Sequence, residues 1–367
     1  MLAQRMTYGL LAMILFVYAL IAVKSFLVPI AFGFLLAYLL FPVADWLERK
    51  KIPRILANLI TILAGTIVLV GISLIIYQRI SIIANDFPDI AREGAVNLSE
   101  MVSNIGQYLG FDKDETRTFI QKEAAIILES GSRYFSTIFS ATTSTAVALG
   151  LLPVYVFMFL YYRTKFMYFI LKTVNRKARP KVIHILRQIS TVMVRYMAGV
   201  LMVVFILTII NSFGLHLIGM RYAIALGVIS ALFNLIPYFG TLLGGLVPFL
   251  FALLVQGDML MAFRVVLLFI VIQFIENNIL TPNIVGGNVR ISPFFIITGL
   301  FGASMVWGIP GMLLIVPFLA VLRIVFSHLD SMRPYAYLIG DEGTRKHAIS
   351  KENFMIKWNR IFKKKNP

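Results

Sequence analysis

The chain has no cysteine, so disulfides and thiol chemistry are excluded from the start. Charge is also scarce. Asp, Glu, Lys and Arg make up 14% of residues, where soluble domains carry about a quarter. The histidines, His184, His216, His328 and His347, are scattered and show no metal-ligand spacing. There is no GxxxxGK[ST] phosphate loop, no HExxH and no CxxC. Nothing here would bind ATP, so any driving force would come from a substrate gradient, an ion gradient or a partner. The expectation is a non-enzyme with no cofactor and no resident metal. A cleavable leader is not expected either. Arg5 opens a long apolar pattern without a small-residue cleavage site, and 6–23 reads as a retained first span.

What the chain has instead is apolar length. Of its 367 residues, 59% are hydrophobic, and mean hydropathy is +0.85. Charge-free runs longer than the roughly 18 residues that cross a bilayer core recur along it. Backbone in lipid must satisfy its own hydrogen bonds, so these runs are expected as helices. They lack the polar–apolar alternation of barrel strands. The net charge of +17 does not mark a nucleic-acid binder, because the basic residues sit between apolar runs. The expected fold class is an all-α integral membrane protein with about eight transmembrane helices. Two of its segments, near 222–257 and 291–322, are interrupted or re-entrant, and an extracytosolic helical insert is added.

The expected organisation is spans 1–3 in 1–78, the insert in 79–142, span 4 in 143–162 and basic amphipathic helices in 163–195. Spans 5–8 follow in 196–326, and a basic tail in 327–367. Loop charge sets the orientation. The turn at 45–54 carries four Lys/Arg against two acids, segment 163–195 nine against none, and 323–367 ten against four, whereas 79–142 carries six against nine. The three basic segments are expected on the cytoplasmic side, with both termini. In the insert, one amphipathic helix is expected near 88–109 and a second from Asp112 or Asp114 to about Ser130. They form a helical cap, a gate or an oligomer contact. Segment 163–195, broken at Pro180, is expected on an anionic lipid surface or against a partner.

Two features carry the functional reading. The first is a pair of long interrupted stretches. Tyr222–Gly257 is charge-free and broken at Asn234-Leu235-Ile236-Pro237-Tyr238-Phe239-Gly240. Ile291–Leu322 is broken at Trp307-Gly308-Ile309-Pro310-Gly311. Each exceeds one straight span by roughly ten residues, and proline interrupts the helix ladder. Matched breaks of this kind accompany substrate sites in transporters; helix kinks that serve packing alone would leave the same pattern. The second is Glu276, with Gln273, Asn277 and Leu280 on one helix face and Asn278 beside it. A helix starting near Met259 puts Glu276 about 25 Å along its axis. Acids at depth usually face a cavity or a partner, so Glu276 either binds a cation or proton or is a polar helix end. Pro282 and Gly286 then mark irregular backbone.

Together, Asn234-x-Ile236-Pro237-Tyr238-x-Gly240, Glu276-Asn277 with Pro282 and Gly286, Pro293, and Gly308-x-x-Gly311-Met312 with Pro317 resemble the autoinducer-2 exporter family of bacterial permeases. The resemblance covers most of the chain. It implies a multi-pass protein of the bacterial inner membrane, associated with export of the furanone autoinducer-2 or with sodium(lithium)/proton antiport. It also implies a homo-oligomer, a pentamer in the family pattern. Three functions stand open: a secondary exporter or facilitator of a small molecule, a cation/proton antiporter using Glu276, and a non-transporting scaffold that offers its basic face. The expected partners are the bilayer and a small-molecule or cation substrate.

Overall fold

The structure, a computed structural model, describes residues 2–109, 142–285 and 290–341. Its elements are α1 (Leu2–Ala22), α2 (Lys24–Arg49), α3 (Arg54–Asn85), α4 (Phe87–Leu109), α5 (Thr142–Thr173), α6 (Arg179–Ile218), α7 (Ala223–Phe233), α8 (Phe239–Leu250), α9 (Met259–Ile275), α10 (Pro293–Trp307), α11 (Ile309–His328) and α12 (Arg333–Ile339). Two stretches are wound as π-helix, Phe251–Val255 after α8 and Glu276–Val285 after α9. Among the described residues no strand forms, and the all-α class holds. Five helices are long and apolar enough to cross a membrane: Lys24–Arg49, Arg54–Asn85, Arg176–Ile218, Met259–Val285 and Ile309–His328. Large apolar side chains face outward along them. Leu63, Ile67, Phe205, Phe213, Phe263, Ile270 and Phe318 are all more than half exposed. Water would penalise that surface; lipid does not.

The chain divides into two compact units. Met1–Thr173 and Met193–Gly286 form the first, Val174–Val192 and Gly287–Pro367 the second.

In the first unit, α2 packs on α5 and α3. Ala44 and Ala57 are fully buried there, with Val156 and Leu160. A Cβ on Gly33 would lie 2.7 Å from that of Tyr155, so a small residue lets α2 and α5 approach. Polar pairs tie the ends. At one end Glu48 meets Arg163 and, at 3.6 Å, Arg54. At the other, Tyr222 donates to Asp86 and Arg221 pairs with Glu93 at 3.0 Å. Asn97 of α4 donates there to the carbonyls of Leu254 and Val255 at 2.9 and 2.8 Å. Those two carbonyls lie at the end of the π turn. The 32 residues of α3 separate the two polar ends by about 48 Å.

Both interrupted stretches fold as helical hairpins. Residues 234–238 turn the chain so that α8 packs antiparallel on α7. Gly240 meets Phe233 and Asn234, and Gly244 meets Ser230. Gly308 alone, at φ 66°, joins α10 to α11. There Gly311 meets Ala303, and Gly299 meets Ile315 and Leu319.

In the second unit, the α10–α11 hairpin packs on α12, and one antiparallel bridge links Ile291 with Gly340. The start of α6 belongs here, with its His184 ring 5.8 Å from that of His328. The break in the basic segment falls at 174–178, where Asn175 caps a short 3₁₀ turn over Arg176–Ala178. It does not fall at Pro180, which occupies the first turn of α6, where a missing N–H costs nothing. The first insert helix is present as α4. The second expected insert helix, Gly286 and the tail from 342 lie outside the described residues.

Candidate functional site

The site is built from the tip of the first hairpin and the far end of α9. Both the start of α7 and the start of α9 lie at the polar end of the first unit held by Asp86, Glu93 and Asn97. From there α7 runs 11 residues, about 16 Å, and ends at Asn234. Asp258 caps α9, its carboxylate accepting the Met261 N–H at 2.9 Å, and α9 runs 17 residues, about 25 Å, to Glu276. The two side chains meet. Asn234 Nδ2 donates to Glu276 Oε2 at 3.3 Å, and the Gln273 amide, one turn earlier, faces the same carboxylate.

Glu276 is 8% exposed, so its carboxylate is removed from solvent among apolar helices. It also stands at the point where α9 changes from α to π winding. Such winding shifts carbonyls off the regular ladder and recurs at functional sites. The contact to Asn234 is long for a hydrogen bond to a charged group, which usually measures about 2.7–2.9 Å. A carboxylate offers about four acceptor positions, and two amides leave capacity for a cation or for the hydroxyls of a solute. Nearby polar atoms are also unsatisfied among the described residues: Gln273 Oε1, and Ser230 Oγ one turn before Asn234.

The hairpin tip that delivers Asn234 is sterically tight. Tyr238 is held at φ 66°, in the left-handed region that non-glycine residues avoid. A Cβ on Gly240 would lie 2.3 Å from Asn234 Cα and 2.4 Å from Asn234 Oδ1. Only glycine fits there, so Gly240 sets the position of Asn234. Pro237 is half-buried and Tyr238 is exposed. The proline at 237 and the strained residue after it end one arm and start the next.

Asn277, Asn278 and Pro282 are exposed, whereas Glu276 is buried. Asn278 returns its amide to the Phe274 carbonyl at 2.8 Å, which is a helix-stabilising bond. Gly286 lies outside the described residues. Pro310 and Gly311 belong to the second unit. Pro310 opens α11, and Gly311 is buried against Ala303, where a Cβ would lie 2.2 Å from the Ala303 carbonyl oxygen. The sequence reading missed the groups that fasten the hairpin base: Asp86, Glu93, Asn97, Arg221 and Tyr222. Their partners are more than a hundred residues apart, beyond any local periodicity. The one local hint is an ionisable residue, Arg221, placed directly before a charge-free run.

A family model described as AI-2E family transporter matches residues 10–331. Among curated proteins, the chain is 27% identical over 320 residues to "Putative transport protein YrrI" of Bacillus subtilis, covering 85% of this chain and 89% of that one. It is 25% identical over 320 residues to "Putative transport protein YueF" of the same organism, covering 84% and 85%. It is 22% identical over 322 residues to "Putative transport protein YhhT" of Escherichia coli strain K12, covering 87% and 89%. The match spans both hairpins and the carboxylate between them, and the chain belongs to the AI-2E transporter family of multi-pass membrane transport proteins.

Proposed function

We propose that this protein is a secondary exporter or facilitator of a small polar molecule, with the Asn234–Glu276 pair in its pathway. The observation that carries the reading is the delivery of Asn234, by a charge-free hairpin, onto a buried carboxylate at the α-to-π transition of α9. Two amides, a hydroxyl and a carboxylate there suit a small solute rich in hydroxyls, of the autoinducer-2 type. Half-helices ending at depth supply the same kind of freed backbone in other transporter folds. The reading includes placement in a bacterial inner membrane with both termini cytoplasmic, from loop charge, and a homo-oligomer, pentameric by family resemblance. Pro282, Asn277 and Asn278, exposed on the π segment, are proposed as lining of that pathway or of a subunit contact.

The test is flux in proteoliposomes loaded with small polyhydroxylated solutes. Wild type should release solute faster than empty liposomes, and Glu276→Gln should reduce that release by about tenfold or more while eluting as a folded species. Equal release with and without protein across the solutes would count against the reading.

The burial of Glu276 favours a second reading, sodium(lithium)/proton antiport. A lone carboxylate among amide donors can exchange a proton for a small cation. In that case Glu276→Gln abolishes cation-induced pH changes in everted vesicles, while solute flux does not differ from control. The scaffold reading predicts that Glu276→Gln is silent in both assays.

A further inference from the structure

The second unit contains a cavity of about 620 Å³ lined by His184, Arg187, Gln188, Thr191, Val192, Arg290 and Arg323. None of these residues belongs to the transport site. We propose that this cavity is an anion site that takes a phosphate group.

The lining is assembled from three separate segments. His184, Arg187, Gln188 and Thr191 are spaced at three and four residues along α6, so they form one stripe. Val192 is buried behind them. Arg290 is fixed by backbone. Ile291 bridges Gly340, Ser292 N–H donates to the Ile339 carbonyl at 2.8 Å, and Asp341 N–H donates to the Arg290 carbonyl at 3.3 Å. Arg323 comes from α11 and lies against Gly340, where a Cβ would sit 3.0 Å from its Nε. A bare glycine therefore makes room for a guanidinium.

Charge makes this arrangement informative. Three guanidinium groups converge on one cavity, and like charges brought together repel unless a counter-charge is supplied. The described residues of the second unit supply little. Segment 174–192 contains no acid, and neither does 290–329. Asp330 is paired with Arg333 at 2.9 Å. Asp341, whose N–H donates to the Arg290 carbonyl, is the other acid among the described residues of the second unit, one carboxylate for three guanidiniums. Arg187 and Arg290 are exposed and form no ion pair among the described residues. The planar donor forks of arginine match phosphate oxygens, and the Gln188 amide and Thr191 hydroxyl add neutral donors. The volume exceeds what a bare phosphate ion needs and falls in the range of small-ligand sites, about 300–1,000 Å³. The same chemistry serves the headgroup of an anionic phospholipid and a soluble phosphate compound.

The experiment uses the full chain in neutral detergent. Inorganic phosphate is titrated at constant ionic strength against chloride, with the thermal unfolding midpoint as readout. In parallel, the protein is placed in nanodiscs of phosphatidylcholine with or without phosphatidylglycerol, and retained lipid is counted by native mass spectrometry. Arg187→Gln and Arg290→Gln each remove one guanidinium from the lining. Lys181→Gln removes the same charge from α6 outside it.

A saturable response to phosphate, weakened about tenfold or more in the two arginine variants and unchanged in Lys181→Gln, supports a site open to soluble phosphates. Selective retention of phosphatidylglycerol with the same variant pattern supports a headgroup site. No saturable response in either arm overturns the proposal. So does equal weakening in Lys181→Gln, which would reduce the cavity to diffuse surface charge.

Discussion

Gly240→Ala is the sharpest probe of how the hairpin serves the site. The added Cβ would lie 2.3 Å from Asn234 Cα, 2.4 Å from Asn234 Oδ1 and 2.5 Å from the Phe233 carbonyl oxygen. Ordinary contact begins near 3.4 Å, so the arms must part by about an ångström. Two of the three obstacles are backbone, which cannot swing aside as a side chain can. Overpacking of this kind costs about 1–3 kcal/mol, and the better helix propensity of alanine returns at most about 1 kcal/mol. The net expectation is a loss of about 1–2 kcal/mol. The functional effect is larger than the stability effect, because the Asn234–Glu276 contact is already 3.3 Å. Moving Asn234 by an ångström takes it out of hydrogen-bond range.

The assay pairs a thermal unfolding midpoint in detergent with solute flux in proteoliposomes. Gly71→Ala serves as control, because a Cβ there meets nothing within 4 Å. Gly240→Ala should lower the midpoint and nearly abolish flux, and Gly71→Ala should change neither by much. If the two variants behave alike in both measurements, Gly240 does not position Asn234 and the reasoning fails.

Other outcomes follow from the same geometry. Asn234→Asp should place a second acid against Glu276 and, if both ionise, drive them apart, lowering flux more than Asn234→Ala; equal flux in the two variants would speak against direct contact. Asn97→Ala removes the two donors that hold α4 to the Leu254 and Val255 carbonyls, at a cost of about 1–3 kcal/mol, and should speed proteolytic release of α4. Unchanged protease resistance would contradict that. Asn58 is fully buried, with neither amide atom bonded among the described residues. Asn58→Leu should therefore raise the unfolding midpoint, since an unpaired buried amide costs about 1–3 kcal/mol; a lowered midpoint would mean that the amide has a partner in the assembled protein.

Helix content, the apolar exterior and the amphipathic α4 were legible because each depends on composition and local periodicity. The interruptions at Pro237 and Pro310 were legible too, because a proline or a glycine announces itself. Their outcome was not. A kinked span and a hairpin share one sequence signature, and the choice is made by close approaches such as Gly240 on Asn234 and Gly311 on Ala303, which join residues on different arms. Glu276 stood out as a lone acid in an apolar run. Its partner Asn234 was singled out for a different reason, and nothing in the chain between them encodes that they meet. The basic segment was expected on an anionic lipid surface or against a partner. Its convergence with Arg290 and Arg323 needs residues separated by a hundred positions or more, so only the folded chain displays it.

The hairpins also bear on the membrane path. A kinked single span delivers the chain to the opposite side, whereas a hairpin returns it to the side it left, whether its arms cross fully or turn back midway. Treating 222–257 and 291–322 as hairpins replaces two odd contributions with two even ones. The parity of the whole path, and with it the expectation that the two termini share one side, is unaffected. The two pictures differ in where the ends of each stretch emerge. In the first unit, the base of the hairpin is tied on both sides to α4, through Arg221–Glu93 and through Asn97 to Leu254 and Val255, so both ends belong to one face. The absence of native cysteine makes the point directly measurable. Single substitutions Arg221→Cys and Met259→Cys should react with an impermeant maleimide from the same side of the membrane, and Phe294→Cys and Leu329→Cys from a common side as well. Labelling of either pair from opposite faces would mean that its stretch crosses once, and for the first pair that the tip bearing Asn234 cannot meet Glu276 as a folded-back hairpin.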